Sequence, residues 1–102
     1  MGKRKVIWSS TANRKLFEIM EFYAQRDKSK TYSIKLYQRF KKELSVLIKQ
    51  PEIGIKTEIE SVRGLIVDNY ILFYEFDSER IIVHTLWDSR QNPNALKLNS
   101  NY

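Results

Sequence analysis

Cysteine is absent from the 102-residue sequence, which also contains only one histidine, three glycines and two prolines. Without cysteine there is neither a disulfide scaffold nor a thiol nucleophile, and a reducing compartment, the cytoplasm, is the expected location. One histidine, His84, without cysteine makes a dedicated transition-metal site improbable, and we expect neither a metal nor another cofactor. The sequence also lacks a glycine-rich phosphate loop.

Long hydrophobic runs are missing as well. No apolar run approaches the roughly 18 residues that span a bilayer, and no apolar segment follows the basic start of the chain. We therefore predict neither a membrane anchor nor a signal peptide. The scarcity of glycine and proline argues against linkers, so a chain of this length is expected to form one domain, 1–102.

Positive charge is concentrated in the first half of the chain. Residues 1–50 contain 13 Lys and Arg against 4 Asp and Glu, whereas residues 51–102 contain 5 against 8. This excess of positive charge favours an acidic protein partner or a phosphate backbone, although a basic helical face can also simply be solvated. A module that binds nucleic acid through this half of the chain is a further alternative.

Two amphipathic helices are predicted in this basic half, after a short β-prone run at 5–9. The first helix spans 12 to about 26, and its apolar side chains recur with helical spacing at Leu16, Met20, Tyr23 and Ala24. The second spans 31–49 and ends where Gln50 precedes proline. Its predicted core stripe is Tyr37, Phe40, Leu44, Leu47 and Ile48. Together they form an αα-hairpin.

Three runs rich in β-branched and aromatic residues follow, at 65–67, 70–76 and 81–87. Their short polar separations predict an antiparallel meander. Residues 56–60 are compatible with either a strand extension or a loop. The predicted fold is α+β, in the order β-α-α-β-β-β, with the helices packed on one side of a mainly antiparallel sheet.

Two arginines flank the meander. Arg63 precedes it and Arg90 follows it, and strands of similar length would bring both to neighbouring parts of one rim of the sheet. An arginine pair can hold a phosphate or carboxylate in bidentate fashion. The alternative is that both arginines form surface salt bridges, for which Glu58, Glu60 and Asp88 are available.

His84 and Trp87 lie in the last predicted strand. A histidine is the usual acid or base at neutral pH, although a lone strand histidine is more often a packed residue. Trp87 can stack on a base, or it can be buried in the sheet. No second histidine is present to activate Ser89, so a hydrolase triad is not expected.

The order and spacing of four segments resemble the RelE/ParE superfamily of bacterial type II toxins, also called plasmid stabilisation proteins. The resemblance covers residues 6–93 and leaves a tail at 94–102. The segments are Pro51-Glu52-Ile53-Gly54, Val62-Arg63-x-Leu65, Asn69-Tyr70-x-Leu72-x-Tyr74 and Leu86-Trp87-Asp88-x-Arg90-x-Asn92-Pro93.

The resemblance implies a growth-inhibiting toxin that is neutralised by a cognate antitoxin in a hetero-oligomer. Members of the ParE branch bind DNA gyrase, whereas members of the RelE branch are ribosome-dependent, metal-free mRNA endoribonucleases. Nucleases commonly carry an arginine where this chain has Ile71, so the ParE branch is favoured. Whether the protein is an enzyme, and whether this copy is still toxic, stay open.

The resemblance also suggests roles for individual residues. Arg63, Trp87 and Arg90 are expected to bind the target. If the protein is instead a nuclease, His84 and Arg90 are the candidate catalytic residues. An acidic or amphipathic segment of the antitoxin is expected to bind the basic hairpin at Lys35, Arg39 and Lys42.

Overall fold

The computed structural model describes residues 3–90, which form two long helices and five strands. Their bounds are β1 Lys5–Trp8, α1 Ser10–Asp27, α2 Thr31–Lys49, β2 Ile55–Lys56, β3 Arg63–Val67, β4 Tyr70–Phe76 and β5 Arg80–Asp88, with a 3-10 turn at Pro51–Ile53. The predicted tail at 94–102 lies outside the described residues, as do Asn92 and Pro93 of the closing motif.

The strands form one sheet in the order β1-β5-β4-β3-β2. The predicted meander is present in β3, β4 and β5, and β2 adds a short antiparallel edge strand beside β3. The first strand, β1, runs parallel to β5, with Val6 opposite Ile81. The helices lie on one side of this sheet, so the α+β prediction is confirmed, although the sheet is mixed. Of the ambiguous segment, only Lys56 belongs to a strand.

Ser9 fixes the start of α1. Its hydroxyl accepts a hydrogen bond from the backbone N–H of Ala12 at 3.0 Å, which satisfies one of the free donors of the first turn. The same hydroxyl donates to the carbonyl of His84 in β5 at 2.7 Å. One side chain therefore caps α1 and links the end of β1 to the neighbouring strand β5. The helix ends when Lys28 adopts a left-handed conformation (φ 52°).

The core stripe of α2 matches the prediction at Phe40, Leu44 and Leu47 but not at Tyr37 and Ile48, which are not fully buried. Its buried residues are Ser33, Leu36, Phe40, Leu44 and Leu47. Tyr37, which was predicted to face the core, is 36% exposed. Leu36 takes its place, and Ser33 is tolerated inside because its hydroxyl donates to the carbonyl of Met20 in α1 at 2.7 Å. A polar contact between the two helices thus interrupts the apolar pattern.

The turn after α2 is held by a buried tyrosine. The Tyr74 hydroxyl donates to the carbonyl of Pro51 at 2.6 Å and accepts from the N–H of Gly54 at 3.0 Å. A Cβ atom at Gly54 would overlap the Tyr74 ring and hydroxyl, so only glycine fits here, although its backbone conformation is ordinary. The Pro-x-x-Gly segment is therefore shaped by its contact with β4.

Candidate functional site

A cleft opens where one face of α1 passes the C-terminal end of β5. It encloses roughly 300 Å³. The helix contributes residues spaced i, i+3, i+4 and i+7, so they share one face. Strands β4 and β5, with Arg90 just after β5, form the opposite wall. The lining residues are Lys15, Glu18, Ile19, Phe22, Tyr70, Leu86, Trp87, Asp88 and Arg90.

Arg90 is fixed on the rim of this cleft by a two-pronged ion pair. Its Nε and Nη2 lie 3.0 and 2.9 Å from the two carboxylate oxygens of Asp88. The backbone N–H of Arg90 also donates to Asp88 at 2.9 Å. Hydrogen bonding to Arg90 lowers the pKa of Asp88, and the same pairing raises the pKa of Arg90. The guanidinium is thus oriented and largely neutralised by its neighbour.

Two tyrosine hydroxyls extend this network into the core. Arg90 Nη2 donates to the Tyr23 hydroxyl at 3.2 Å, and the Tyr70 hydroxyl donates to the same oxygen at 3.1 Å. Burial, with the hydrogen bond to Tyr23, raises the pKa of Tyr70 well above its ordinary value. Tyr70 therefore stays neutral at physiological pH. The network from Tyr70 on β4 through Tyr23 on α1 to Arg90, just after β5, holds α1 against this end of the sheet.

Arg63 does not share a rim with Arg90, contrary to the prediction. The register places Arg63 opposite Tyr74, whereas Tyr70, at the other end of β4, lies opposite Asp88. The two arginines are therefore at opposite ends of the sheet. Arg63 Nη1 donates to the carbonyls of Glu52 and Gly54 at 3.0 Å each, so it secures the turn after α2. The predicted topology already implied this separation, because three consecutive antiparallel strands place the entry and the exit of the chain at opposite ends of the sheet.

His84 occupies a β-bulge in β5. Thr85 pairs with Phe73 and Val83 pairs with Tyr74, so His84 is the extra residue between them. Its Nε2 lies 3.0 Å from a carboxylate oxygen of Glu75 on β4. His84 is not part of the cleft lining, so the structure does not bring it together with Arg90 there.

The three basic residues predicted to meet an antitoxin all lie on α2. Lys35, Arg39 and Lys42 are spaced i, i+4 and i+7, so they share one exposed face. Arg39 lies 3.5 Å from Asp68 in the β3–β4 turn and 3.9 Å from Glu43. These are solvent-exposed pairs of the kind that contribute little to stability.

Sequence reasoning found Trp87 and Arg90 but missed the helical wall of the cleft. Lys15, Glu18, Ile19 and Phe22 repeat with helical spacing beside the core stripe of α1. That second stripe was visible in the sequence. Its meaning depends on which strand α1 crosses, and in the structure α1 packs against β5.

Comparison with solved structures gives the class of fold. The chain matches a structure described as "Chromosomal ParDE TA system from P. aeruginosa" with a TM-score of 0.69 and 16% sequence identity. The match covers 82% of this chain and 94% of that chain. At such an identity the likeness shows the fold. No curated protein matches the chain.

A protein-family model shows to which family the chain belongs. The model described as "ParE toxin of type II toxin-antitoxin system, parDE" matches residues 6–93. The chain therefore belongs to the ParE toxin family, and the predicted superfamily and branch are confirmed. Within residues 3–90, neither helix combines the length and apolar character needed to cross a membrane.

Proposed function

We propose that this toxin inhibits growth by binding DNA gyrase and does not cleave RNA. The observation that carries the proposal is the Asp88–Arg90 ion pair. A metal-free nuclease needs cations free to neutralise a phosphate in the transition state. Here, two of the three guanidinium nitrogens of Arg90 are occupied by Asp88, and Arg63 donates to backbone carbonyls at the other end of the sheet. Such arginines suit a protein interface.

The position of Ile71 supports the same proposal. The expected nuclease arginine is replaced there by an apolar side chain that lies opposite Ile66 on β3 and Trp87 on β5. Paired residues of neighbouring strands share a face of the sheet. This group therefore offers apolar contact area and no cation. Trp87 and Arg90 stay proposed target-binding residues, whereas Arg63, at the other end of the sheet, holds the turn after α2.

A cognate antitoxin is the second proposed partner. Helix α2 presents Lys35, Arg39 and Lys42 on one exposed face, and the helical hairpin as a whole is basic. Such a face attracts an acidic or amphipathic segment that folds as it binds. The antitoxin and toxin would form a hetero-oligomer in the cytoplasm, where gyrase is also present.

One observation keeps RNA cleavage as a second candidate. His84 lies 3.0 Å from Glu75, and a histidine paired with a carboxylate can act as an acid or base. Under this alternative His84→Ala would abolish cleavage of mRNA. Under the gyrase proposal the same substitution leaves toxicity intact.

The deciding experiment is induced expression in a bacterial host with parallel labelling of new DNA and new protein over a few minutes. We expect DNA synthesis to fail first, and purified toxin to inhibit supercoiling by purified gyrase. If protein synthesis fails first and mRNA ends accumulate within codons, the nuclease alternative is correct. His84→Ala should be run beside the wild type, because its loss of toxicity would contradict the gyrase proposal.

A further inference from the structure

The cleft between α1 and β5 is lined by Phe22, a large aromatic side chain that is mostly exposed. Phe22 is 60% exposed, and its ring makes an edge contact with Tyr23 at 5.1 Å between centroids. Ile19 continues this apolar surface into the cleft, and β5 forms the facing wall. Aromatic residues beside a concave apolar surface are typical of the energetic centre of a protein interface.

The charges around the cleft are balanced. Lys15 and Arg90 supply two cations, and Glu18 and Asp88 supply two anions. The exposed face of α2 is different, because Lys35, Arg39 and Lys42 give it an excess of positive charge. We therefore expect an acidic segment to be attracted electrostatically to α2 and not to the cleft. The segment that complements the cleft is uncharged.

Arg90 supplies a fixed polar contact at the edge of this apolar surface. Among residues 3–90, its hydrogen bonds use the backbone N–H, Nε and Nη2. The Nη1 group makes no hydrogen bond within that part of the chain. Because Asp88 and Tyr23 hold the guanidinium in place, a partner that accepts from Nη1 loses little side-chain entropy on binding.

We propose that the cleft is the docking site for the toxin's protein target and that it is separate from the basic face of α2. The occupant is an uncharged segment that inserts one large apolar side chain against Phe22 and Ile19. A backbone carbonyl of that segment accepts a hydrogen bond from Arg90 Nη1. A volume of roughly 300 Å³ lies at the lower limit for ligand pockets and suits one side chain. This inference rests on the proposed function, in which the target is DNA gyrase.

Phe17 provides a matched control for Phe22. It lies on the same helix, is 68% exposed and is not part of the cleft lining. Phe22→Ala and Phe17→Ala thus remove the same side chain from similar environments, and neither creates a cavity in the core. Thermal melting of both variants checks that the fold is retained.

The test is the affinity of each variant for purified gyrase, together with inhibition of supercoiling. We expect Phe22→Ala to weaken binding by about 30-fold or more, as for a central interface aromatic. Phe17→Ala should remain within about 3-fold of wild type. Because the cleft is charge-balanced, raising the salt from about 50 to 300 mM should change the wild-type affinity by less than about 3-fold.

Several results would overturn the inference. If wild-type toxin binds gyrase and Phe22→Ala binds equally well, the docking site lies elsewhere while the proposed function stands. Equal losses in both variants would also remove the special role of the cleft. A steep salt dependence would mean a charged partner segment, and a change of oligomeric state in Phe22→Ala would assign the cleft to a second copy of the chain. If wild-type toxin neither binds nor inhibits gyrase, the proposed function itself fails.

Discussion

Replacing Tyr74 by phenylalanine should remove two hydrogen bonds while keeping the ring. Tyr74 is fully buried, and its hydroxyl joins the Pro51 carbonyl to the Gly54 N–H. Pro51 and Gly54 are themselves buried, so water does not readily replace the lost hydroxyl. Each buried group left without a partner costs about 1–3 kcal/mol. We therefore expect Tyr74→Phe to lower the free energy of unfolding by about 2–4 kcal/mol, a large part of the total of about 5–15.

Urea unfolding followed by tryptophan fluorescence measures this loss. With a slope of about 1–3 kcal/mol per molar urea, the midpoint should fall by roughly 0.7–4 M. Tyr37→Phe is the matched control, because Tyr37 is partly exposed on α2, and its substitution should change stability by less than about 0.5 kcal/mol. If the two variants lose the same small amount, the Tyr74 hydroxyl does not hold the turn, and the physical explanation of the Pro-x-x-Gly segment is wrong.

Four further outcomes follow from the structure. Gly54→Ala should lose about 1–3 kcal/mol in urea unfolding, because the new methyl group overlaps Tyr74. Phe40→Ala, at a fully buried position, should lose about 3–5 kcal/mol in the same assay through the cavity it leaves. Burial raises the pKa of Tyr74, so its neutral form contributes stability that is complete below about pH 10 and is lost as the pH rises through the folded pKa. Urea midpoints of the wild type should accordingly fall more steeply above about pH 10 than those of Tyr74→Phe. The hydrogen bond from Arg90 lowers the pKa of Asp88, so the stability that Asp88 contributes is present above about pH 4 and is lost as the pH falls through the folded pKa. In Asp88→Asn, the free energy of unfolding should therefore fall less steeply than in the wild type as the pH is lowered from about 5 to 2.

The fold class followed from the sequence because its signals are local. Helical spacing in residues 12–49 and β-rich runs in residues 65–87 do not depend on distant contacts. The stripe of α2 was predicted correctly at Phe40, Leu44 and Leu47 but began at the wrong residue, because Ser33 is polar and Tyr37 is aromatic. Only the hydrogen bond from Ser33 to α1 explains why the polar residue is inside. The parallel pairing of β1 with β5 likewise has no local signal in the sequence.

The candidate site was predictable only in part, for a related reason. Trp87 and Arg90 stand out by residue type in the closing motif, but Phe22, which lines the same cleft from α1, is one aromatic among several. The separation of Arg63 from Arg90 was predictable, because a three-stranded antiparallel meander begins and ends at opposite ends of the sheet. The exact register, including the bulge at His84, depends on long-range packing and is not encoded in a short motif.

The parallel pairing of β1 with β5 also bears on when the protein can become active during its synthesis. Residues 5–8 pair with residues 80–83, so the first strand has no partner until residues 80–83 have left the ribosome. The α1 wall of the cleft is made early, whereas Trp87 and Arg90 are made later. Contacts so distant in sequence form late and slowly in folding. A nascent chain therefore displays the basic helical hairpin before it possesses the cleft, and an antitoxin that binds α2 would reach the protein before its target could.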